Sequence, residues 1–478
     1  MKKILNKYLN MPVQVKAVFW LTVCTLLQKG ISIITVPIFT RIMSTDDYGI
    51  FSKFISWENI IQLFTTLSLH TGVFNTAMIK NEDRHNVVVS SYLGLSTLIT
   101  SVTFLIYLML QNGINKAMGL STGEMLFMFL NLLLSPAFNL WIAQQRFEYK
   151  YVKLVVYTLM YSLISPVICY FAVIYAENAA CARIAASSLV SAIFYSIIYV
   201  AVFFKGRVFF DGKLWKNAII VNVSLIPHFL SASILNQADR LMISSMVGNS
   251  EAGIYSVGYS AAMLLQIVIS SVNASIVPWL YNKIKRNRAG EAKALLNVAS
   301  ILMFGAVIVF MLFAPECMRI LAPIEYQDAI WIFPPLTASV FFIYVYNLFC
   351  NIELYYEKSL YITISSCLAA VLNIVLNYLL IPVFGYTVAG YTTLISYISY
   401  AVIHCLFAKK IVKNYQIDNP IDNKFIVILS GALLIMTVLI NGLYRFLIIR
   451  YMIFFLISLL AIIHRKNIME SIREVKRK

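Results

Sequence analysis

The sequence predicts an all-α integral membrane protein with fourteen transmembrane helices, or twelve followed by a re-entrant pair. Hydrophobic residues make up 60% of the 478 residues, and charged residues only 12%. A soluble domain carries about 25% charged residues, so this chain is not built to face water on all sides. Its apolar segments recur at about 20 residues each, the length that an α-helix needs to cross a bilayer.

The apolar segments follow one another with short polar loops between them. They fall at 15–40, 49–79, 87–110, 123–144, 151–176, 182–204, 218–247, 253–282, 293–315, 328–352, 359–381, 386–408, 425–444 and 446–463. No small-residue cleavage site follows the first segment, so we interpret it as a retained helix rather than a signal peptide. The largest loop on the predicted outer side, 315–327, is too short to fold as a domain.

Lysine and arginine lie mainly at the N-terminus, in alternate loops and in the C-terminal tail. These regions hold 29 of the 38 basic residues, the opposite loops hold six and the spans hold three. Because basic loops stay in the cytoplasm, we expect both termini there. The same distribution accounts for the net charge of +17 without nucleic acid as a partner. The tail after His464 predicts either an interfacial helix on anionic lipid or a solvated segment.

Two short motifs recur about half a chain apart. Gly49–Ser52 matches Gly253–Ser256 at an offset of 204, and Ser188–Ser191 resembles Thr393–Ser396 at an offset of 205. Six predicted spans separate the members of each pair, so we expect two pseudo-symmetric six-helix lobes around a central cavity. The predicted parts are an N-lobe at 1–210, a C-lobe at 211–414, two extra helices within 415–464 and a basic tail at 465–478.

Among the charged residues within the predicted spans, Lys29, Lys53, Glu58, Asp239 and Arg240 are the candidates for function. Ionisable residues at membrane depth are unfavourable unless they face water or a partner, so they are candidates for function. Lys29, midway along the first span, is expected to face a wet cavity or to pair with Glu58. Lys53 lies near the outer end of the second span, where its ammonium can reach the interface.

Asp239 and Arg240 are neighbours, and neighbouring side chains on a helix point about 100° apart. We expect one of them to face the lumen and the other to tie its helix to a neighbour, or the pair to act only as a helix anchor. A buried carboxylate can also bind a proton or a cation, so Glu58 and Asp239 are candidate ion-coupling residues.

The sequence predicts no ATP-binding, disulfide or metal chemistry. The sequence has no Walker loop for direct use of ATP, and its seven cysteines form no disulfide or metal pattern. Asp46 and Asp47 open a predicted helix, where their charge complements the helix dipole rather than forming a metal site. We therefore expect no cofactor and no metal centre.

Three segments carry a family resemblance: RIMSTDDYGIFS at 41–52, the Asp239–Arg240 pair with the GIYS motif that follows it, and LNIVLNYLLIPVFGYTVAGYTTLISY at 372–397. In order and spacing the chain resembles the polysaccharide-biosynthesis branch of the multidrug/oligosaccharidyl-lipid/polysaccharide exporters, the Wzx-type lipid-linked oligosaccharide flippases. The resemblance covers essentially the whole chain.

The resemblance implies a non-enzymatic transporter that moves an undecaprenyl-pyrophosphate-linked oligosaccharide across the bacterial inner membrane by ion-coupled alternating access. Its expected partners are this glycan lipid, the membrane lipids, a coupling ion (H⁺ or Na⁺) and the polymerase or chain-length machinery of O-antigen, lipopolysaccharide or capsule assembly. Family members hold the pyrophosphate with cationic cavity residues, for which the candidates here are Lys29, Arg41, Lys53 and Arg240.

Two alternatives remain open. A drug or cation antiporter of the same superfamily would favour acidic cavity residues, whereas the deep charges here include Lys29. A membrane polysaccharide polymerase or glycosyltransferase would usually carry a large external loop or a cytoplasmic catalytic domain, and the sequence predicts neither.

Overall fold

The computed structural model describes residues 11–463, and this part of the chain is helical throughout, with no strand. The prediction of an all-α membrane protein is confirmed. The basic tail predicted at 465–478 lies outside the described residues.

The chain forms two compact units, one up to Ser233 and the other from Ile234 onward. The first unit contains helices α1 (Val13–Ile42), α2 (Thr45–Thr66), α3 (Phe74–Lys80), α4 (His85–Met118), α5 (Thr122–Phe147), α6 (Tyr151–Tyr175), α7 (Ala179–Gly206) and the start of α8 (Gly212–Met246). The division falls inside α8, and a lobe boundary at 210/211 stays a prediction.

Up to residue 463, the second unit contains the end of α8 and nine further α-helices. They are α9 (Asn249–Ala262), α10 (Gln266–Lys285), α11 (Ala292–Leu312), α12 (Ala314–Leu321), α13 (Phe333–Tyr355), α14 (Ser359–Phe384), α15 (Val388–Asn414), α16 (Asn423–Leu443) and α17 (Leu447–Ile463). Helix α13 is buried along nearly its whole length, so it forms the core of this unit.

Twelve segments of the described chain are long and apolar enough to cross a membrane. The number equals the smaller predicted count, but the set includes α16, which that prediction places in the re-entrant pair, and omits α2. Two predicted spans are not long or apolar enough to be counted among these twelve. Helix α2 carries charged and polar residues that lower its hydropathy, and α17 contains only a shorter apolar stretch, Leu447–Leu459. Both are nevertheless helical.

The second predicted span, 49–79, is not one continuous helix. Helix α2 ends at Thr66, where Leu67 and Ser68 take left-handed backbone angles with φ of 47° and 49°. The Thr66 hydroxyl donates to the carbonyl of Gln62 and accepts from the amide of Ser68, so the side chain competes with the helical pattern. Hydropathy alone does not report such a break.

Side-chain caps fix the start of α2, as the acidic pair there predicts. The Ser44 hydroxyl accepts a hydrogen bond from the amide of Asp47, and both Asp46 and Asp47 lie in the first turn. Negative charge at this position complements the positive end of the helix dipole. The Asp47 carboxylate also accepts from the amide of Ala180 at 3.4 Å, which ties α2 to the start of α7.

The internal repeat has a counterpart in backbone geometry. Tyr149 and Glu357, 208 residues apart, both take left-handed angles, with φ of 55° and 54°. In each turn the next residue closes the same hydrogen bond at 2.9 Å, from Lys150 to the carbonyl of Gln145 and from Lys358 to that of Glu353. These bonds are typical of the Schellman ending of a helix.

The last helices are attached to the second unit by an ion pair. Arg450 of α17 donates from both terminal nitrogens to the Glu316 carboxylate of α12, at 2.7 and 2.8 Å. Its Nη1 also donates to the carbonyl of Leu312 at 2.6 Å, and the Tyr444 hydroxyl donates to that of Met311. Arg450 is only 4% exposed.

Candidate coupling and binding sites

Asp239 lies in a buried hydrogen-bond network of the second unit. It is seven residues before the end of α8 and only 2% exposed. Its Oδ1 accepts a hydrogen bond from Asn377 at 2.6 Å, and its Oδ2 accepts from the hydroxyls of Tyr255 at 2.5 Å and Thr393 at 2.6 Å. Because these donors belong to α14, α9 and α15, one carboxylate joins four helices.

A second layer of buried oxygens surrounds this carboxylate. Thr392 donates to Oδ1 of Asn377, which orients the amide so that its nitrogen faces Asp239. Asn373 lies one helical turn before Asn377 and accepts from it at 3.4 Å. Within the described residues, no Lys, Arg or His forms an ion pair with Asp239. The carboxylate therefore has only neutral partners, and its surroundings are rich in the oxygen ligands that hard cations prefer.

Arg240 points away from this network, as expected for neighbouring residues on a helix. Its Nη1 donates to Oε1 of Gln237 at 2.7 Å and to the carbonyl of Asn236 at 3.3 Å. The guanidinium lies 4.5 Å from the ring centre of Tyr259, a cation–π distance. Both residues thus contact a neighbouring helix: Asp239 accepts hydrogen bonds from three helices, and Arg240 lies against Tyr259 of α9. A role for Arg240 in substrate binding stays a prediction.

Glu58 belongs to a separate network in the first unit. The Asn131 amide of α5 donates to Glu58 of α2 at 3.4 Å and to Ser188 of α7 at 3.1 Å. One turn further along the same two helices, Gln62 donates to Ser135 at 2.9 Å. The acid therefore lies in a ladder of neutral interhelical hydrogen bonds, as is common in membrane bundles.

Lys29 lies half-buried near the middle of α1, 16 residues after Val13. Its neighbour Gln28 donates to Ser162 and so docks α1 on α6. Across the described ranges, Lys29 has neither a hydrogen-bond acceptor nor an ion pair, and the alternative of a pair with Glu58 is not observed. The expected role of Lys29 in phosphate binding stays a prediction.

The other two predicted phosphate ligands have local partners. Arg41 is exposed and donates to the carbonyl of Pro37 on its own helix at 2.7 Å. The Lys53 side chain is 9% exposed, and its ammonium lies beside Gly119 in the loop between α4 and α5, 3.2 Å from where a Cβ would be. That position agrees with an ammonium that reaches toward the end of its helix.

A third buried acid was not predicted. Glu353 of α13 and His404 of α15 are both 0% exposed, and Oε1 of the acid lies 2.8 Å from Nδ1 of the imidazole. The imidazole packs against the rings of Tyr346 and Tyr400. The pair is 51 residues apart in sequence, and no local pattern connects the two positions.

A known protein family matches this chain from α1 into α10. Residues 14–284, more than half of the chain, match the family model described as polysaccharide biosynthesis protein. The chain belongs to this family. A curated relative, "Lsg locus putative protein 1" of Haemophilus influenzae, is 30% identical over 64 residues, which span 13% of this chain and 16% of the relative's length.

Solved transporter structures share the fold of this family member. The lipid II flippase MurJ in an inward closed conformation matches with a TM-score of 0.68 and 14% identity, over 94% of this chain and all of MurJ. An inward-facing multidrug resistance MATE transporter matches with a TM-score of 0.63 and 14% identity, over 84% of this chain and 99% of that one. The expected exporter-superfamily fold is confirmed.

The repeat motifs of this family member supply two of the three donors to Asp239. Tyr255 lies in the GIYS motif, and Thr393 opens the second motif, so hydroxyls in the repeats were an available signal. Helices α2 and α9 begin 204 residues apart, which places the first motif in register. Helices α7 and α15 begin 209 residues apart, so Ser188 and Thr393 lie about one turn out of register, on the same helical face.

Proposed function

We propose that this protein is a flippase that moves an undecaprenyl-pyrophosphate-linked oligosaccharide from the cytoplasmic to the outer leaflet of the bacterial inner membrane. The transported lipid would supply the assembly of O-antigen, capsule or a similar polysaccharide. Membership of the polysaccharide biosynthesis family and the fold shared with a lipid II flippase support this proposal. Transport by alternating access would be coupled to H⁺ or Na⁺.

The observation that carries the proposal of ion coupling is the Asp239 network. Its carboxylate accepts three hydrogen bonds from neutral donors on three other helices. The ionised Asp239 carboxylate only accepts hydrogen bonds. If it bound a proton, it would become a donor, so one of the hydroxyls that now donates to it would have to accept instead or move away. A bound cation would likewise compete with the donors. Ion occupancy at Asp239 therefore acts directly on the packing of four helices.

Lys29 is the proposed ligand of the pyrophosphate. It is a cation at the middle of a spanning helix and, within the part of the chain that the structure describes, has no anionic partner. A lysine binds phosphate as a point charge and does not require the fork geometry of arginine. Arg41, Lys53 and Arg240 are proposed as further cations along the path, and Glu58 as a second coupling acid.

The coupling role is tested in proteoliposomes that contain a lipid-linked oligosaccharide. We expect Asp239→Asn to abolish the acceleration of flipping by an imposed H⁺ or Na⁺ gradient, while Asp46→Asn, at an exposed carboxylate, keeps it. Thermal denaturation of both variants separates loss of coupling from loss of folding. Unchanged gradient dependence in a folded Asp239→Asn protein would exclude this carboxylate as the coupling site.

The substrate role is tested in cells that depend on this protein for surface glycan. Lys29→Ala should abolish surface glycan at normal protein level, and Lys29→Arg should retain it because the charge remains. Lys116→Ala removes an exposed lysine of the same unit and serves as the matched control. Normal glycan in the Lys29→Ala strain would remove Lys29 from the mechanism.

A drug or cation antiporter is the second candidate, because the fold is shared with a multidrug resistance transporter. It predicts that loss of the protein increases sensitivity to cationic drugs and leaves surface glycan unchanged. The flippase predicts the opposite pair of results, so the two measurements in one deletion strain discriminate between them.

A further inference from the structure

The first unit contains a cavity of about 710 Å³ that the proposed transport mechanism does not use. Its walls come from the start of α4, the end of α5, the start of α6 and the end of α7. The basic loops of the unit lie at this end, which is the end predicted to face the cytoplasm. A volume between about 300 and 1,000 Å³ is typical of small-molecule sites.

The cavity lining is cationic. Lys150, Lys153 and Lys205 contribute to it, against the single carboxylate of Glu148. This carboxylate accepts hydrogen bonds from Lys150, from Gln144 at 2.9 Å and from His85 at 3.3 Å. Burial opposes ionisation of Glu148, but the hydrogen bonds from Lys150 and Gln144 outweigh it and lower the pKa of this acid. The negative charge of Glu148 is thus balanced by Lys150, and the charges of Lys153 and Lys205 remain as excess positive charge.

A buried polar side chain without a partner also lines the cavity. Gln145 is 8% exposed, and in the described residues its side-chain amide makes no hydrogen bond. Helix α6 begins in the same wall, and Lys150 at its N-cap supplies no side-chain cap. The first amides of a helix point outward at the positive end of its dipole, which favours an anion there.

We propose that this cavity binds the phosphate group of an anionic membrane lipid. Two lysines, the amide of Gln145 and the start of α6 converge on it as donors, and phosphate is the acceptor that such a set prefers. Trp141, Tyr149 and Val152 form an aromatic and apolar wall against which the glycerol and the first acyl carbons can lie. Val152 is 60% exposed on the outside of the helix bundle, so a lipid can reach this wall laterally.

The test measures binding of water-soluble probes to the purified full-length protein. The probes are dioctanoyl phosphatidylglycerol, a short-chain polyprenyl pyrophosphate, inorganic phosphate and inorganic pyrophosphate. We expect phosphatidylglycerol to bind, and Lys153→Gln/Lys205→Gln to weaken it about tenfold or more, since each hydrogen bond to a charged group contributes about that factor. Lys213→Gln/Lys216→Gln removes two exposed lysines outside the cavity lining and should keep wild-type affinity.

A second variant tests the same site in case the Lys153→Gln/Lys205→Gln protein does not fold. Gln145→Leu changes no charge and should weaken binding of the same probe by about two- to tenfold, the value of one ordinary hydrogen bond. An equal loss in the Lys213→Gln/Lys216→Gln control would overturn the proposal, because binding would then be a general surface effect. Absence of binding by every probe would overturn it as well.

The probes also distinguish the source of the phosphate. Preferred binding of the polyprenyl pyrophosphate would support the site and assign it to the transported lipid. Binding of inorganic phosphate alone, with the same loss in the variants, would support the phosphate site and overturn the lipid as its ligand. Normal glycan export with lost lipid binding would leave the flippase proposal intact, so the two proposals fail separately.

Discussion

Two carboxylates of the second unit differ in how their charge is balanced. Asp239 accepts only neutral hydroxyl and amide donors, whereas Glu316 accepts both terminal nitrogens of Arg450. A bidentate ion pair is complete in itself and has a structural role. A carboxylate that has only neutral partners can still bind a proton or a cation. Within one unit, Glu316 therefore forms a fixed structural contact, whereas Asp239 is a candidate switch.

The Glu316–Arg450 pair predicts a loss of stability in acid. Burial opposes ionisation of Glu316, but the hydrogen bonds from Arg450 outweigh it and hold the pKa of the acid below its usual 4.5. A lowered pKa in the folded state contributes stability above the unfolded value, and that contribution disappears as the pH falls below about 4.5 through the folded value. Glu316→Gln should lower the free energy of unfolding by about 1–3 kcal/mol near pH 7.

Thermal denaturation between pH 3 and pH 7 would check this prediction. The difference between the wild type and Glu316→Gln should shrink as the pH falls. Glu325→Gln alters an exposed carboxylate of the same unit and should keep the wild-type pH profile. A constant difference across the range would show that the ion pair does not contribute to the acid sensitivity.

The candidate site could be predicted only in part from single residues. Asp239 and Glu58 stand out because charge inside an apolar segment is rare. Tyr255 and Thr393 do not, because their role depends on contacts 16 and 154 residues away from Asp239. A tyrosine or threonine in a span has no unusual chemistry until the fold places a carboxylate beside it.

At the scale of helices, close contacts in the first unit depend on glycine. A Cβ at Gly206 of α7 would lie 2.3 Å from the carbonyl oxygen of Asn86 on α4. A Cβ at Gly94 of α4 would lie 2.0 Å from the carbonyl oxygen of Phe209, in the segment after α7. Small residues allow such backbone approach in membrane bundles. They also hold together two of the helices that line the cavity.

Gly94→Ala should therefore destabilise the first unit. The added methyl group meets backbone that cannot rotate away, and overpacking of this kind costs about 1–3 kcal/mol. Gly113→Ala is the matched control in the same helix, because nothing lies within 4 Å of its Cβ position. We expect a lower midpoint of thermal denaturation for Gly94→Ala only. Equal midpoints for both variants would show that α4 can move away from Phe209.

Helix boundaries were predictable where the apolar segment and the helix end at nearly the same residue. The first span, predicted at 15–40, is α1 at Val13–Ile42, and the span predicted at 359–381 is α14 at Ser359–Phe384. The span predicted at 253–282 instead contains a 3₁₀ turn at Met263–Leu265 between α9 and α10. All three residues of that turn are apolar, so the change in backbone hydrogen bonding has no signature in composition.

At the scale of the whole chain, the distribution of basic residues predicts the orientation in the membrane. With 29 basic residues on one side and six on the other, both termini are expected in the cytoplasm. The two helices that fall short of spanning hydropathy are α2 and α17. Without both, the count of crossings stays even and the termini share one side, but every loop between them would change sides, so the 29-to-six distribution favours a crossing by α2. A crossing by α17 decides whether the loop between α16 and α17 reaches the outside.

Alkaline phosphatase fusions would check the orientation, since the enzyme is active only outside the cytoplasm. A fusion after Arg445, between α16 and α17, should be active if fourteen helices cross the membrane. A fusion after Asp418, between α15 and α16, is the matched control and should be inactive. Activity of the second fusion would place the loop between α15 and α16 outside, contrary to the prediction, and inactivity of both would indicate a re-entrant final pair.

The matched left-handed turns at Tyr149 and Glu357 have a practical consequence for handling the protein. A residue with a Cβ is strained by about 1–2 kcal/mol in this conformation, and glycine is not. Glu357 is exposed and its amide donates to the carbonyl of Leu354 at 3.1 Å, a bond that glycine can also make, whereas Tyr149 lines the cavity. Glu357→Gly should thus raise the midpoint of thermal denaturation. Tyr149→Gly would relieve the same backbone strain, but it would also remove part of the cavity wall. The first substitution offers a thermostabilised form for crystallisation in detergent.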